Sequence, residues 1–211
     1  MTDIHCNSSY SSVVIDNLYS QFHEHPNIGI ACLYADYNDR IRQTLVHILG
    51  SFLRQFISTA IEPIPDEVIQ KLQDIRRRGG KLSPEDILAL LKIQLRQLKF
   101  AFICIDAVDE LEPRVRYQLL DVLNTLGTNT RVFLTGRGHI ESAIQNRLQV
   151  MQKYKVTISA SRQDIQAVVK EQIMTDPYPD AMDQVLAEEI VDAIVSKSHG
   201  MYVIEFQGYD S

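Results

Sequence analysis

Apolar and polar residues follow two different periods along this chain. Four short runs are rich in apolar residues, which predicts strands, and the first of them is bounded by Pro26 and Asn38. The last run alternates apolar with polar residues, so we expect it nearer the edge of a sheet. The predicted strands are Asn27–Tyr37, Lys99–Asp106, Thr130–Arg137 and Lys153–Ser159.

Between the strands, apolar residues recur at the spacing of a helix. Ser83 followed by Pro84 is a strong helix start, because serine caps the first turn and proline fits its first position. The predicted helices include Ser11–Phe22, Asn38–Ile57, Asp66–Arg77, one that begins after Ser83, and Glu112–Gly127. In the longest helix the apolar face comprises Ile41, Leu45, Ile48, Leu49, Phe52 and Phe56.

Alternating strands and helices predict an α/β fold, a parallel sheet with helices on both faces. Two further helices follow the last predicted strand, and they form either a small helical lid or the start of a second domain. We therefore expect a core over residues 1–160 and a helical lid segment over residues 161–211.

Composition narrows the class of protein. The chain has 211 residues and a formal net charge of −6, which argues against a nucleic-acid partner because such a partner requires a basic face. Three cysteines, Cys6, Cys32 and Cys104, have no metal-binding spacing. Neither a secretion signal nor a run long enough to span a bilayer is present, so the sequence predicts a cytoplasmic protein without a membrane partner.

Three carboxylates follow the most hydrophobic segment, FAFICIDAVDEL. Asp106 ends the strand, Asp109 and Glu110 come directly after it, and the next strand ends in a Gly-Arg turn at Arg137. The carboxyl ends of parallel strands share one sheet edge, where ligands of α/β proteins bind. Asp106 would hold Mg²⁺ through water, Asp109 or Glu110 would orient a water, and Arg137 would stabilise phosphate charge. Alternatively, the acids are helix caps and Arg137 pairs with Glu141 or Asp109.

These segments resemble a known family. FAFICIDAVDEL is similar to the Walker B segment of NACHT-type STAND NTPases, particularly the nephrocystin-like modules of fungal ankyrin-repeat proteins, and RVFLTGRGHIESAI is similar to their sensor 1 segment. SSVVIDNLYSQF resembles the helix after the family's phosphate loop, and SKSHGMY resembles the end of its helical lid. The resemblance implies a three-layer P-loop NTPase-like sheet that binds Mg-ATP or Mg-GTP.

The phosphate loop of that family, GxxGxGK[ST], is missing from this sequence. Asn7 stands where the lysine is expected and Ser8 where the Ser/Thr is expected, so only the Ser8 hydroxyl remains to reach a cofactor or its metal. The strand before the loop is also missing, which leaves a gap between the third and fourth predicted strands. Either those strands close up, or another chain or segment fills the gap, for which MYVIEF near the C-terminus is a candidate.

We therefore expect a fragment of a larger NACHT signalling switch that binds nucleotide weakly or not at all, and is inactive as an NTPase by itself. Its partners would be proteins, or copies of itself through the intact parent. The alternative is a non-catalytic interaction remnant of the same family.

Overall fold

A computed structural model describes residues 7–22, 24–39, 41–59, 64–80, 82–149, 152–158, 162–175, 183–197 and 201–207. The chain divides into two compact units, one formed by residues 1–155 with 203–211 and the other by residues 156–202. None of the helices in these ranges combines the length and the apolar character needed to cross a bilayer.

The five described strands form one sheet. They are β1 (Ile28–Tyr34), β2 (Phe100–Asp106), β3 (Thr130–Gly136), β4 (Gln152–Ile158) and β5 (Met201–Gln207). Strands β1, β2 and β3 are parallel neighbours, with Tyr34 opposite Asp106 and Ile105 opposite Leu134. The α/β class predicted from the sequence is therefore confirmed, and the strand ends that carry the candidate acids meet at one edge.

The sheet order is β1-β2-β3-β5-β4, so β5 occupies the predicted gap between the third and fourth strands. The segment MYVIEF lies in this strand. A backbone strand in that position gives the inner edge of β3 a hydrogen-bonding partner, which removes the cost of an unpaired buried strand. The expected edge position of β4 is also confirmed.

Helices of the first unit lie on both faces of the sheet. They are α1 (Asn7–Phe22), α2 (Leu45–Thr59), α3 (Asp66–Arg77), α4 (Pro84–Arg96), α5 (Pro113–Leu123) and α6 (Glu141–Arg147). The second unit contains α7 (Arg162–Met174) and α8 (Gln184–Lys197). In the second unit, α7 and α8 pack against each other. Helix α4 begins as predicted, since Ser83 and Asp86 form a reciprocal capping box ahead of Pro84.

The main core lies between one sheet face and α2, α4 and α5. Successive strand residues point to opposite faces, so Ala101, Ile103 and Ile105 of β2 all enter this core and are fully buried. Phe52 and Phe56 of α2 lie in the same cluster and are also fully buried. Burial of each isoleucine or phenylalanine side chain here is worth about 1.5–3 kcal/mol, which fixes the register of the sheet.

The predicted start of α2 at Asn38 is wrong. Residues Tyr37–Asp39 form a short 3-10 turn instead, and the helix begins at Leu45. Ile41 is 92% exposed and does not belong to the apolar face, although the other predicted members do. Two local hydrogen bonds explain the later start of the helix. Asn38 N donates to the Asp36 carboxylate, which favours a turn at this point. His47 N donates to the Thr44 hydroxyl, which caps the helix that begins at Leu45.

Two other helix boundaries also differ from the prediction. Helix α1 begins at Asn7, before the predicted Ser11. Helix α5 ends at Leu123 rather than at Gly127, with Asn124 as its C-cap. Gly127 lies in the following turn, where its carbonyl accepts a hydrogen bond from Thr130 N and orients the start of β3.

Cys32 and Cys104 are opposite each other on β1 and β2. Cys104 is buried and Cys32 is half-buried. A hydrogen bond from the Cys104 thiol lowers the pKa of Cys32, against the opposing effect of burial, and a bond with Tyr19 lowers it further. The same contact with Cys32, together with burial, raises the pKa of Cys104.

We expect iodoacetamide to alkylate Cys32 faster than Cys104, because the thiolate is the reactive form and only Cys32 has a lowered pKa. Replacing Cys104 by alanine removes the donor and slows alkylation of Cys32 at neutral pH, whereas Cys104→Ser retains a donor and slows it less. Peptide mass spectrometry resolves each cysteine. Faster alkylation of Cys104, or no effect of Cys104→Ala, contradicts the expectation.

Gly29 and Gly50 form a matched pair for testing the core. A Cβ on Gly29 would lie 2.6 Å from Phe56 Cδ1 and 2.7 Å from Leu98 Cδ1, so we expect Gly29→Ala to destabilise the fold by about 1–3 kcal/mol. A Cβ on Gly50 of α2 would meet only Ile87 Cδ1 at 4.0 Å, so Gly50→Ala should stabilise it by about 0.5–1 kcal/mol. Urea denaturation measures the free energy of unfolding of both variants. Equal effects would contradict the close contact of Gly29 with Phe56 and Leu98.

Candidate functional site

The Thr135 hydroxyl joins the ends of β2 and β3. It donates a hydrogen bond to Asp106 Oδ1 and accepts one from Ala107 N at 2.8 Å. Asp106 is only 5% exposed, and such a buried carboxylate needs a hydrogen-bond donor. Thr135 therefore supplies a hydrogen bond to Asp106, the predicted metal-binding residue, from within the protein.

The chain leaves β2 through a strained residue. Ala107 has φ 51° and ψ 46°, the only left-handed conformation of a residue other than glycine in the described ranges. This conformation costs an alanine about 1–2 kcal/mol. It turns the chain directly into the 3-10 turn Val108–Glu110, which carries two of the candidate acids, and the Ala107 N–H bond to Thr135 holds it there.

Asp109 is bound to the turn after β3. Its side chain is only 3% exposed, its Oδ1 accepts from Arg137 N at 3.2 Å, and its Oδ2 lies 3.6 Å from Arg137 Nε. The alternative pairing of Arg137 with Asp109 is therefore present, whereas Glu141 pairs with Lys155 at 2.7 Å. The Arg137 side chain is 64% exposed, so the guanidinium remains accessible at the sheet edge.

Glu110 faces a different strand end. Its Oε2 accepts from Tyr37 N at 3.2 Å, just beyond the end of β1. Ala35 N also donates to the Asp106 carbonyl at 3.1 Å, so the β1 exit is tied to the β2 exit at two points. The acids thus link three strand ends, and each makes a contact within the protein.

Two further residues, Arg116 and Gly136, support this turn. Arg116 Nη1 donates to the Asp109 carbonyl at 3.0 Å, while its buried Nε has no protein partner. Gly136 leaves room for the turn, since a Cβ there would lie 2.6 Å from Ile140 Cδ1 and 3.3 Å from Asp109 Oδ1. The sequence places Thr135 at the end of β3, but neither its bond to Asp106 nor the role of Arg116 has a sequence signal.

Ser8, the remaining cofactor candidate, lies in the first turn of α1, and its side chain is outside the described part of the chain. Elsewhere in the described ranges, no group of three or more His, Cys, Asp or Glu side chains could hold a metal ion. Asp109 and Glu110 turn their carboxylates toward Arg137 and Tyr37 N. The described residues therefore do not by themselves fit Mg²⁺, which prefers several oxygen ligands in octahedral geometry.

Thr135→Val preserves the side-chain shape but removes the hydroxyl, so Asp106 Oδ1 and Ala107 N both lose the partner that Thr135 supplies. We expect it to lower the free energy of unfolding by about 1–3 kcal/mol, as for other buried polar groups deprived of a partner. Thr135→Ser keeps the hydroxyl and should lose less than half as much. Urea denaturation of both variants tests this, and equal losses would assign the effect to packing.

Comparison with known proteins identifies the family. A family model described as nephrocystin 3, N-terminal, matches residues 7–137, more than half of the chain. The matched range begins with α1 and ends at Arg137, so it includes every candidate site residue. No curated protein and no solved structure matches the chain. The match places this chain in the nephrocystin 3 N-terminal family.

Proposed function

We propose that this chain is part of a nucleotide-dependent signalling switch of the NACHT type, located in the cytoplasm. The observation that supports the proposal is the convergence of Asp106 and Arg137 at the adjoining ends of β2 and β3, within the range matched by the family. An acid and an arginine at that edge are the groups that P-loop NTPases use to read a bound nucleotide and its metal.

The chain is proposed to bind Mg-ATP or Mg-GTP weakly or not at all by itself. Its 211 residues include no GK[ST] sequence, so neither a glycine-rich backbone cradle nor a phosphate-binding lysine is available. A nucleotide would meet Asp106 and Arg137 in a protein with a net charge of −6. Phosphate groups would then lack most of the positive charge that their binding requires.

In the switch, each residue would have a positional role. Asp106 would stay in the sheet, held by Thr135, and would contact through water a metal whose other oxygen ligands come from the nucleotide phosphates and solvent. Arg137 would exchange Asp109 for a phosphate, because its side chain is already largely exposed. That exchange would free Asp109, or Glu110 after release of Tyr37 N, to orient a water.

A second candidate is a non-catalytic module that binds another protein or a copy of itself. It is favoured by the internal contacts of all three acids, because each carboxylate already has a partner within the protein in Thr135, Arg137 or a backbone N–H. Under this proposal the network serves to lock the strand ends together.

Isothermal titration calorimetry with Mg-ATP and with Mg-GTP tests the nucleotide proposal. We expect no saturation below about 1 mM, a free energy weaker than about −4 kcal/mol. A micromolar dissociation constant that Asp106→Asn abolishes would contradict this expectation. Asp74→Asn is the control, because it removes the same charge from an exposed pair with Arg77 in α3.

Weak binding is expected for both candidates, so a second measurement must separate them. Sequencing of the native transcript across the codons before Ser11 does so. An in-frame glycine-rich loop with GK[ST] supports the switch, with Asp106, Glu110 and Arg137 as its working residues. A message that encodes no such loop supports the interaction module.

A further inference from the structure

A cavity of about 720 Å³ lies between α1 and the sheet face opposite the main core. Its walls include four phenylalanines, together with Val14 and Leu18 of α1; the phenylalanines are Phe22, Phe100, Phe102 and Phe133. Sites for small organic ligands occupy about 300–1,000 Å³ and are lined mainly by apolar and aromatic side chains. In size and lining, this cavity is therefore of the kind that binds a small molecule.

The aromatic floor of the cavity is only partly covered. Phe22 stacks on Phe102 with ring centroids 5.4 Å apart and an interplanar angle of 15°. Phe100, Phe102 and Phe133 are half-buried, although β2 lies inside the sheet and its other face is fully buried. Water against such a surface is unfavourable, and an apolar molecule that displaced it would be stabilised.

The mouth of the cavity is positively charged. Lys99 Nζ lies 5.8 Å and Arg131 Cζ 5.3 Å from the centre of the Phe100 ring, so both cations surround one aromatic side chain. Arg131 Nη1 also donates to the Thr128 carbonyl at 2.7 Å, which fixes the guanidinium beside the ring. Neither cation forms an ion pair with any residue that the structure describes.

Charge complementarity points to an anion. None of the described residues lining the cavity is acidic, although the whole protein carries a net charge of −6. Uncompensated cations beside an apolar surface attract a molecule with one anionic end and one apolar end. We propose that this cavity binds a small organic anion with an apolar body, of the class of medium-chain or aromatic carboxylates, whose anionic group meets Lys99 and Arg131.

This site is distinct from the acids of the candidate nucleotide site. Phe100 begins β2 and Asp106 ends it, and six residue steps at about 3.3 Å each separate the two by about 20 Å. The proposal uses none of the residues assigned to the switch. Failure of nucleotide binding therefore leaves it unaffected, and the reverse also holds.

Titration calorimetry of the whole chain with decanoate tests the proposal. We expect saturable binding with one site, and weaker binding of decanol by about ninefold to twenty-fivefold, because decanol loses the ion pairs with both Lys99 and Arg131 and each is worth about threefold to fivefold at a partly exposed position. Decyltrimethylammonium should bind more weakly still, since its charge is repelled. Acetate should show no binding, because it has no apolar body.

Single-residue variants locate the site. Lys99→Gln and Arg131→Gln should each weaken decanoate binding by about threefold to fivefold without changing that of decanol. Leu18→Trp should weaken both, because the larger side chain fills the cavity. Arg42→Gln is the control, since Arg42 is exposed, pairs with Asp39 and does not line the cavity.

The result that overturns the proposal is equal affinity for decanoate, decanol and decyltrimethylammonium, or no saturable decanoate binding in the millimolar range. Unchanged affinity in both charge variants overturns it as well. Urea denaturation of each variant confirms that it is folded. If Leu18→Trp does not fold, Lys99→Gln still decides, because the Lys99 side chain is exposed.

Discussion

The hydrogen bonds of the Thr135 hydroxyl determine how the carboxyl edge of the sheet is arranged. They satisfy a buried carboxylate at Asp106 and hold the strained Ala107 at the same time. Because Ala107 sets the direction of the turn, the position of Asp109 against Arg137 follows from it. One hydroxyl on β3 therefore determines the geometry of residues on the β2 exit.

In this arrangement the candidate acids at the carboxyl edge of the sheet are engaged in contacts within the protein. Asp109 and Glu110 contact Arg137 and Tyr37 N, so chemistry at either acid requires that a protein contact breaks first. The Asp109–Arg137 contact joins a buried carboxylate to a largely exposed guanidinium. In a switch, exchange of Asp109 for a phosphate would couple bound nucleotide to the turn positions, whereas in an interaction module the same contacts serve stability alone.

The sequence predicted those parts of the fold whose signals are local. Helix α4 has its capping residues and its proline side by side, and the three parallel strands are short apolar runs bounded by turn residues. The start of α2 was predicted too early because the helical spacing of apolar residues extends back to Ile41. In the structure, hydrogen bonds to the Asp36 and Thr44 side chains hold the preceding residues in a turn, and the helix starts later. At the site, strand order alone brings Asp106 near Arg137, but the contacts of Thr135 and Arg116 depend on register and packing between distant segments.

The position of β5 depends on the need to pair the inner edge of β3 rather than on a local sequence signal. In this sheet β3 and β4 are not neighbours, and an unpaired inner edge between them would be costly wherever it is buried. Any apolar segment within reach is then favoured to enter, and Met201–Gln207 does so. Sheet completion therefore depends more on backbone hydrogen bonding than on the identity of the strand, which is why a segment from far along the chain can take this place.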